Sequence, residues 1–69
     1  MRRRIASRPN SVRFEELQRL LEVYGWTVIR IRGSHHTFQR GGDRYVIPRR
    51  TPQMLPDYVR GVLDRTEED

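Results

Sequence analysis

The chain has 69 residues, no cysteine and a formal net charge of +5. This length allows one domain, and a chain of this size buries only about 60% of the surface that it exposes when unfolded. The lack of cysteine excludes a disulfide-stapled secreted fold, so the cytoplasm is the expected location. The apolar runs are much shorter than the roughly 20 residues that cross a bilayer, and no apolar segment follows the basic start, so we expect neither a membrane span nor a secretory signal.

All 14 basic residues are arginine, and their charge is unevenly distributed. Residues 1–8 carry +4 and residues 30–50 carry +5, whereas residues 64–69 carry −3. The arginine side chain forms planar, bidentate hydrogen bonds with phosphate groups. The basic middle third of the chain therefore favours an anionic partner, and nucleic acid is the usual one.

Residues 1–9 are predicted to form a flexible basic arm, which could contact phosphate. The next segment predicts a helix over residues 12–24, with Asn10 or Ser11 as its N-cap and Gly25 just after its end. The apolar residues of this segment recur at helical spacing and predict one buried face: Phe14, Leu17, Leu20, Leu21 and Tyr24.

Three short strands are predicted next. Trp26–Arg32 is rich in aromatic and β-branched residues, and Gly33-Ser34 fits a two-residue hairpin turn of type II′, which requires glycine at its first central position. His35–Arg40 is then the return strand. A second turn at Gly41–Asp43 leads to a third strand, Arg44–Pro48, which the proline ends.

A second helix is predicted to begin at Pro56-Asp57, because proline is favoured at the first helical position. Residues 10–65 would then form one domain, and the acidic residues 66–69 are expected to fray. The predicted order is helix, three-stranded antiparallel meander, helix. This order predicts an α+β fold with both helices on one face of the sheet and the other face exposed to water.

The two-residue turn fixes which side chains share a face of the sheet, because directly opposed residues lie on the same side. It pairs Arg32 with His35 and Ile31 with His36, and further along it pairs Arg30 with Thr37 and Ile29 with Phe38. We expect the helix-covered face to carry Ile29, Ile31, His36 and Phe38. We expect the open face to carry Val28, Arg30, Arg32, His35, Thr37 and Gln39. A turn longer by one residue would exchange the faces of the two histidines.

His35 would then stand in water between Arg30 and Arg32. An ordinary surface histidine is one interpretation. The other is catalysis: a neutral imidazole can accept a proton, and the arginines could hold a phosphodiester beside it. RNA supplies its own nucleophile, the 2′-hydroxyl group, so this arrangement would be sufficient for strand cleavage without a metal. Asp43 is the only acidic residue between Arg30 and Arg50, which disfavours a metal-dependent nuclease.

Other residues near the turn are candidates for binding phosphate. The Ser34 hydroxyl could bind a phosphate oxygen or simply shape the turn. Arg49 and Arg50 follow the third strand and are either phosphate contacts or a solvated pair.

Four segments of the chain together form a family-like sequence pattern: Ser11–Trp26, Arg30–Phe38 with its G-S-H-H sequence, Tyr45–Pro48, and Leu55-Pro56. Over residues 11–64 they resemble the HicA toxin family. The resemblance implies a fold like that of the double-stranded-RNA-binding domain, an mRNA interferase that acts without the ribosome, and a HicB-type antitoxin that covers the active site. It also implies that the catalytic histidine is His35. Many relatives carry histidine after the strand-ending proline, where this chain has Arg49.

The prediction is therefore the toxin of a type II toxin–antitoxin system, an endoribonuclease that cleaves mRNA with no metal and no cofactor. His35 is the predicted catalytic base, and the predicted RNA-binding residues are Arg30, Arg32, Ser34, Arg49 and Arg50. One alternative is a non-catalytic RNA-binding module of the same fold. Another is a domain that binds only protein.

Overall fold

A computed structural model describes residues 1–67. Three strands form one antiparallel sheet in the order β1-β2-β3, with helices before and after it in the chain. The elements are α1 (Arg2–Ala6), α2 (Phe14–Val23), β1 (Thr27–Arg32), β2 (His35–Arg40), β3 (Asp43–Pro48) and α3 (Pro56–Arg65). The predicted α+β order of helix, antiparallel meander and helix is confirmed for α2 through α3. Within residues 1–67, the helices lack the length and apolar character needed to cross a membrane.

Helix α2 is shorter at its start than the sequence suggested, and its cap differs. Arg13 has an extended backbone and is the N-cap residue, so the prediction of Asn10 or Ser11 as the cap is wrong. The Glu16 carboxylate accepts a hydrogen bond from the Arg13 backbone N–H at 3.0 Å, which satisfies one of the free donors at the helix start. Val12, just before the cap, is fully buried and anchors the incoming chain.

The core lies between the helices and the covered face of the sheet. Four of the five residues in the predicted apolar stripe of α2 are buried, and Tyr24 packs at the edge of the core. The other elements complete the same apolar cluster, which contains Ile5, Val12, Phe14, Leu17, Leu20, Leu21, Trp26, Phe38, Ile47, Met54, Val59 and Val62. Burial of these side chains is the main force that holds the helices against the sheet.

The first nine residues do not form the flexible arm that the sequence suggested. Residues 2–6 are helical, and Ile5 is only 2% exposed. The Arg2 guanidinium donates to the Leu63 carbonyl at 2.8 Å and to the Thr66 hydroxyl at 3.2 Å. The folded unit thus begins before Asn10 and includes Thr66, which is fully buried. Of the predicted acidic end, Glu68 and Asp69 lie outside the described residues.

Strand β1 contains a bulge that changes the predicted face of two residues. Val28 lies opposite Phe38 and Arg30 lies opposite Thr37, so that Ile29 is left without a partner across the strand pair. The predicted pairing of Ile29 with Phe38 is therefore wrong, and Val28, not Ile29, packs against the core. A bulge has this effect because it adds one residue to a strand whose side chains alternate.

Ile31 was predicted to be buried and is instead 61% exposed, and Ile29 is 47% exposed. Ile31 does share a face with His36, its partner in β2. However, β1 is an edge strand, so its side chains have a neighbouring strand on one side only. A correct face assignment is therefore not enough to bury a side chain at the edge of a small sheet.

Candidate active site

The site is built on the turn between β1 and β2. Gly33 has a φ of +59°, and positive φ values within residues 1–67 occur only at glycine, so Ser34 does not share this conformation. This combination meets the requirement of a type II′ turn, as the sequence predicted. Arg32 and His35 flank the turn as a directly opposed pair.

The open face presents His35 among arginines. Residues 35 and 32 are opposed and both exposed, and Arg30 is opposed to Thr37 one pair further along. Opposed Cβ atoms lie about 4.5–5.5 Å apart and diagonal neighbours about 7–8 Å apart, so both long guanidinium side chains can reach a group bound at His35. The predicted pairing of these residues and the opposite faces of the two histidines are confirmed. Ser34 is also exposed, at the tip of the turn.

His36 points the other way. It is 9% exposed, and its ring lies 4.6 Å from the ring of Phe14 between centroids. Its Nδ1 is 3.1 Å from the Ser34 carbonyl oxygen. A carbonyl oxygen only accepts hydrogen bonds, so Nδ1 carries the proton in this contact. The hydrogen bond from His36 therefore stabilises the turn next to which His35 is exposed.

The Ser34 carbonyl has a second donor, the backbone N–H of Arg49, at 2.6 Å. This bond ties the residue after β3 to the turn between β1 and β2. Together with the His36 ring it holds the turn from two directions. The backbone next to His35 is thus fixed by the fold and not only by the hairpin itself.

The structure does not bring the Arg49 side chain together with His35. Its guanidinium lies over the Phe14 ring, 5.5 Å from the centroid, and forms an ion pair with Glu15 at the start of α2. These partners lie on the helix side of the sheet. Arg50 is exposed, and its guanidinium has no hydrogen-bond or ion-pair partner within the described part of the chain. Of the five predicted RNA-binding residues, Arg30, Arg32 and Ser34 are grouped with His35.

Sequence reasoning missed Arg44, which belongs to the same open face. Arg44 pairs with Gln39, and Val46 pairs with Thr37, which places both on the side that carries His35. The buried Ile47 lies on the other side of β3. Strand alternation from that one buried residue would have predicted the position of Arg44. Its charge extends the basic surface across the sheet.

Tyr45 faces the core side and is not available on the open face. It pairs with the buried Phe38, and the Arg65 guanidinium lies 3.7 Å from its ring centroid. Burial raises the pKa of the Tyr45 hydroxyl above its ordinary value, although the nearby Arg65 opposes this shift. In residues 1–67, no three His, Asp or Glu side chains are grouped as a metal site would require.

The family model described as the HicA toxin of bacterial toxin–antitoxin matches residues 14–67, which include the site, the whole sheet, α2 and α3. The chain belongs to the HicA toxin family. Comparisons with curated proteins and with solved structures gave no match. Membership of this toxin family implies that an antitoxin is the partner of the chain. Helix α1 lies outside the matched residues.

Proposed function

We propose that this HicA family member is an endoribonuclease that cleaves mRNA, with His35 as the general base. The observation that carries the proposal is the exposed imidazole of His35 directly opposite Arg32 and diagonal to Arg30. A proton-accepting nitrogen beside two phosphate-binding cations can supply a general base and charge stabilisation for metal-free RNA cleavage. The proposed location is the cytoplasm, where mRNA is found.

In the proposed reaction His35 takes the proton of an RNA 2′-hydroxyl group. The 2′-oxygen attacks the adjacent phosphorus, the bond from phosphorus to the 5′-oxygen breaks, and the leaving 5′-oxygen takes a proton from solvent. The products are a 2′,3′-cyclic phosphate and a free 5′-hydroxyl group. A positioned general base of this kind contributes typically about 10²–10⁴-fold to the rate.

The arginines act on the phosphate. Arg30 and Arg32 hold its oxygens and stabilise the charge that develops there, and the Ser34 hydroxyl assists. Arg50 extends the contact surface beyond the third strand. The Arg49 guanidinium is engaged by Glu15, so we assign Arg49 mainly to holding the turn, through its backbone bond to Ser34.

The test is cleavage of RNA by the purified protein in the presence of EDTA. We expect the parent to cut and His35→Ala to lose about 10²–10⁴-fold in rate, while it remains folded and binds non-cleavable RNA as before. Gln39→Ala is the matched control, because Gln39 lies on the same face of the same strand as His35 but away from the turn and is not one of the proposed phosphate contacts. Undiminished cleavage by His35→Ala would rule out the mechanism. RNA binding with no cleavage by the parent would favour the non-catalytic module.

The proposed partner is a HicB-type antitoxin that covers the open face. That face carries positive charge from Arg30, Arg32 and Arg44 beside exposed apolar side chains such as Val46. An acidic partner would match this charge. Induced expression in cells should arrest growth, and either His35→Ala or co-expression of the partner should relieve the arrest.

A further inference from the structure

A second basic surface lies away from the open face, between α1 and α2. It is a cleft of about 310 Å³. We call it the basic cleft, because its lining includes three arginines and only one glutamate. The residues that line it are Met1, Arg4, Ile5, Arg8, Glu16 and Arg19. The helix that forms one wall lies outside the residues matched by the family model, whereas Glu16 and Arg19 of the other wall lie within them.

The basic cleft has a surplus of positive charge that is free to bind. Three guanidinium groups and one carboxylate give its lining side chains a net charge of +2. The Glu16 carboxylate is already engaged by both terminal nitrogens of Arg8 and by the Arg13 backbone N–H. The guanidinium groups of Arg4 and Arg19 have no hydrogen-bond or ion-pair partner among residues 1–67, and both residues are exposed.

The walls of the basic cleft are fixed by the fold. Arg8 donates to the Ser11 carbonyl at 2.8 Å as well as to Glu16, which holds its guanidinium at the rim. Helix α1 is itself held by the buried Ile5 and by the two bonds from Arg2 to the end of α3. A ligand would therefore meet fixed walls and one fixed guanidinium, that of Arg8, whereas the free side chains of Arg4 and Arg19 would become ordered on binding.

The chemistry of the basic cleft selects phosphate groups over other parts of a nucleic acid. Guanidinium groups bind phosphate oxygens in a bidentate way. No aromatic side chain lines the cleft among the described residues, so it offers no surface on which a base could stack. Contacts made here would be to the backbone and therefore independent of sequence.

The basic cleft and the His35 turn lie on two sides of the same helical turn. Glu15 pairs with Arg49, whose backbone bonds to Ser34 in the turn, whereas its neighbour Glu16 lines the cleft. Successive residues of a helix point about 100° apart, and a helix with its side chains is about 10–12 Å in diameter. One extended RNA strand could therefore reach from the turn, over the start of α2, to the cleft.

We propose that the basic cleft binds backbone phosphates of the same RNA strand that occupies the open face, a few nucleotides away from the cleavage site. The inference rests on the RNA binding in the proposed function, but not on the cleavage. In this arrangement α1 provides a second set of contacts with the RNA, and these contacts do not depend on the base sequence. Arg4 and Arg19 supply the free cations, and Arg8 supplies a fixed one.

The experiment compares two double variants that remove the same charge. Arg4→Gln/Arg19→Gln removes the free cations of the cleft, and Arg3→Gln/Arg60→Gln removes two exposed arginines that do not line it. Affinity for single-stranded 2′-O-methyl RNA, which cannot be cleaved at the 2′-hydroxyl, is measured by fluorescence anisotropy at several salt concentrations. Loss of two phosphate contacts should make the slope of log affinity against log salt shallower by about 1.4. We expect this change in the cleft variant and a clearly smaller one in the control.

RNA length provides a second readout. The cleft variant should differ from the parent only with RNA long enough to span both surfaces, and the two should bind a very short RNA alike. Equal behaviour of the two double variants, with both folded, would overturn the inference and leave the open-face proposal intact. A parent that binds RNA but never cuts it would overturn only the cleavage, and a parent with no affinity for RNA would overturn both.

Discussion

The two adjacent histidines lie on opposite faces of the sheet and have opposite environments. His36 is 9% exposed, packs against Phe14 and bonds to the turn. His35 is exposed and stands opposite Arg32. The same residue type thus serves the fold on one side and is free for chemistry on the other. The difference comes from strand alternation alone, because neighbouring residues of a strand point to opposite faces.

The contrast continues along β2 and β3. On the covered face, Phe38 and Ile47 are fully buried. On the open face, Thr37 is only partly buried and Val46 is 45% exposed. Substitutions on the covered face should therefore change the free energy of unfolding, whereas substitutions on the open face should change binding or catalysis and leave stability nearly unchanged.

The largest effect on stability is expected for Phe38→Ala. Removal of a fully buried phenylalanine side chain costs about 3–5 kcal/mol, since the transfer free energy is lost and a cavity remains. In a domain this small, such a loss should leave a large fraction of the variant unfolded. Thr37→Ala, one residue away on the open face, should cost well under about 1 kcal/mol. Urea unfolding of both variants measures the difference, and similar losses would contradict the assignment of faces.

A smaller loss is expected for Gly61→Ala, although alanine normally favours a helix over glycine by about 1 kcal/mol. A Cβ at Gly61 would lie 2.0 Å from the Tyr45 hydroxyl oxygen and 2.9 Å from Cζ of the same ring. Either the helix or the Tyr45 ring must therefore shift, and overpacking of this kind costs about 1–3 kcal/mol. Thermal unfolding measures the loss.

The control for this clash is Tyr45→Phe, which removes the hydroxyl group that the new Cβ would meet. In that background Gly61→Ala should be less destabilising than in the parent, because the closest contact is gone. A double-mutant cycle gives the difference directly. An equal cost in both backgrounds would show that the glycine is needed for another reason.

His36→Phe compares the two histidines directly. The phenylalanine ring can keep the contact with Phe14 but has no donor for the Ser34 carbonyl, so we expect a loss of about 0.5–1.5 kcal/mol. His35→Phe, on the exposed side, should change stability by no more than about 0.5 kcal/mol. Chemical denaturation of both variants is the measurement. A larger loss for His35→Phe than for His36→Phe would reverse the roles given to the two side chains.

The position of His35 could be predicted because its causes are local. A two-residue turn with glycine first sets the register of the hairpin, and the register sets the face. Three of the predicted pairs are present, from Arg32 with His35 to Arg30 with Thr37. The predicted pairing fails from Ile29 onward, because Ile29 is the bulged residue and Val28 takes its place opposite Phe38. Nothing in the order of apolar residues showed that Val28 would take the core position instead.

The role of Arg49 could not be predicted, because it depends on contacts between distant parts of the chain. Its guanidinium meets Glu15, 34 residues earlier in the sequence. The helix in the first nine residues was missed for a related reason. Ile5 is the only buried residue of α1, and one apolar side chain among arginines has no periodicity. The packing of Ile5 and the bonds from Arg2 to the end of α3 hold α1 in place, and neither is visible in the local sequence.

The smallest expected effect is a pH-dependent change in the free energy of unfolding, caused by Glu16 on the helix side of the molecule. The Arg8 guanidinium, the Arg13 backbone N–H and the nearby positive charge hold the pKa of Glu16 below its ordinary value of 4.5. A carboxyl group whose pKa is lower in the folded state stabilises the protein above the unfolded pKa. This stabilisation is lost as the pH falls from about 4.5 through the lowered value. Both side chains of the pair are about a third exposed, at 38% and 34%, so solvent screens the interaction.

Glu16→Gln should therefore be slightly less stable than the parent at about pH 7 and should approach it as the pH falls below 4.5 and through the lowered pKa of Glu16. Unfolding free energies at several pH values measure this convergence. Glu22→Gln is the matched control, because this exposed residue lies on the same helix and makes no ion pair among the described residues. Curves that stay parallel for Glu16→Gln would show that the pair with Arg8 does not form in solution. One rim of the basic cleft would then be mobile, while the open face around His35 would be unaffected, since none of its residues contacts this pair.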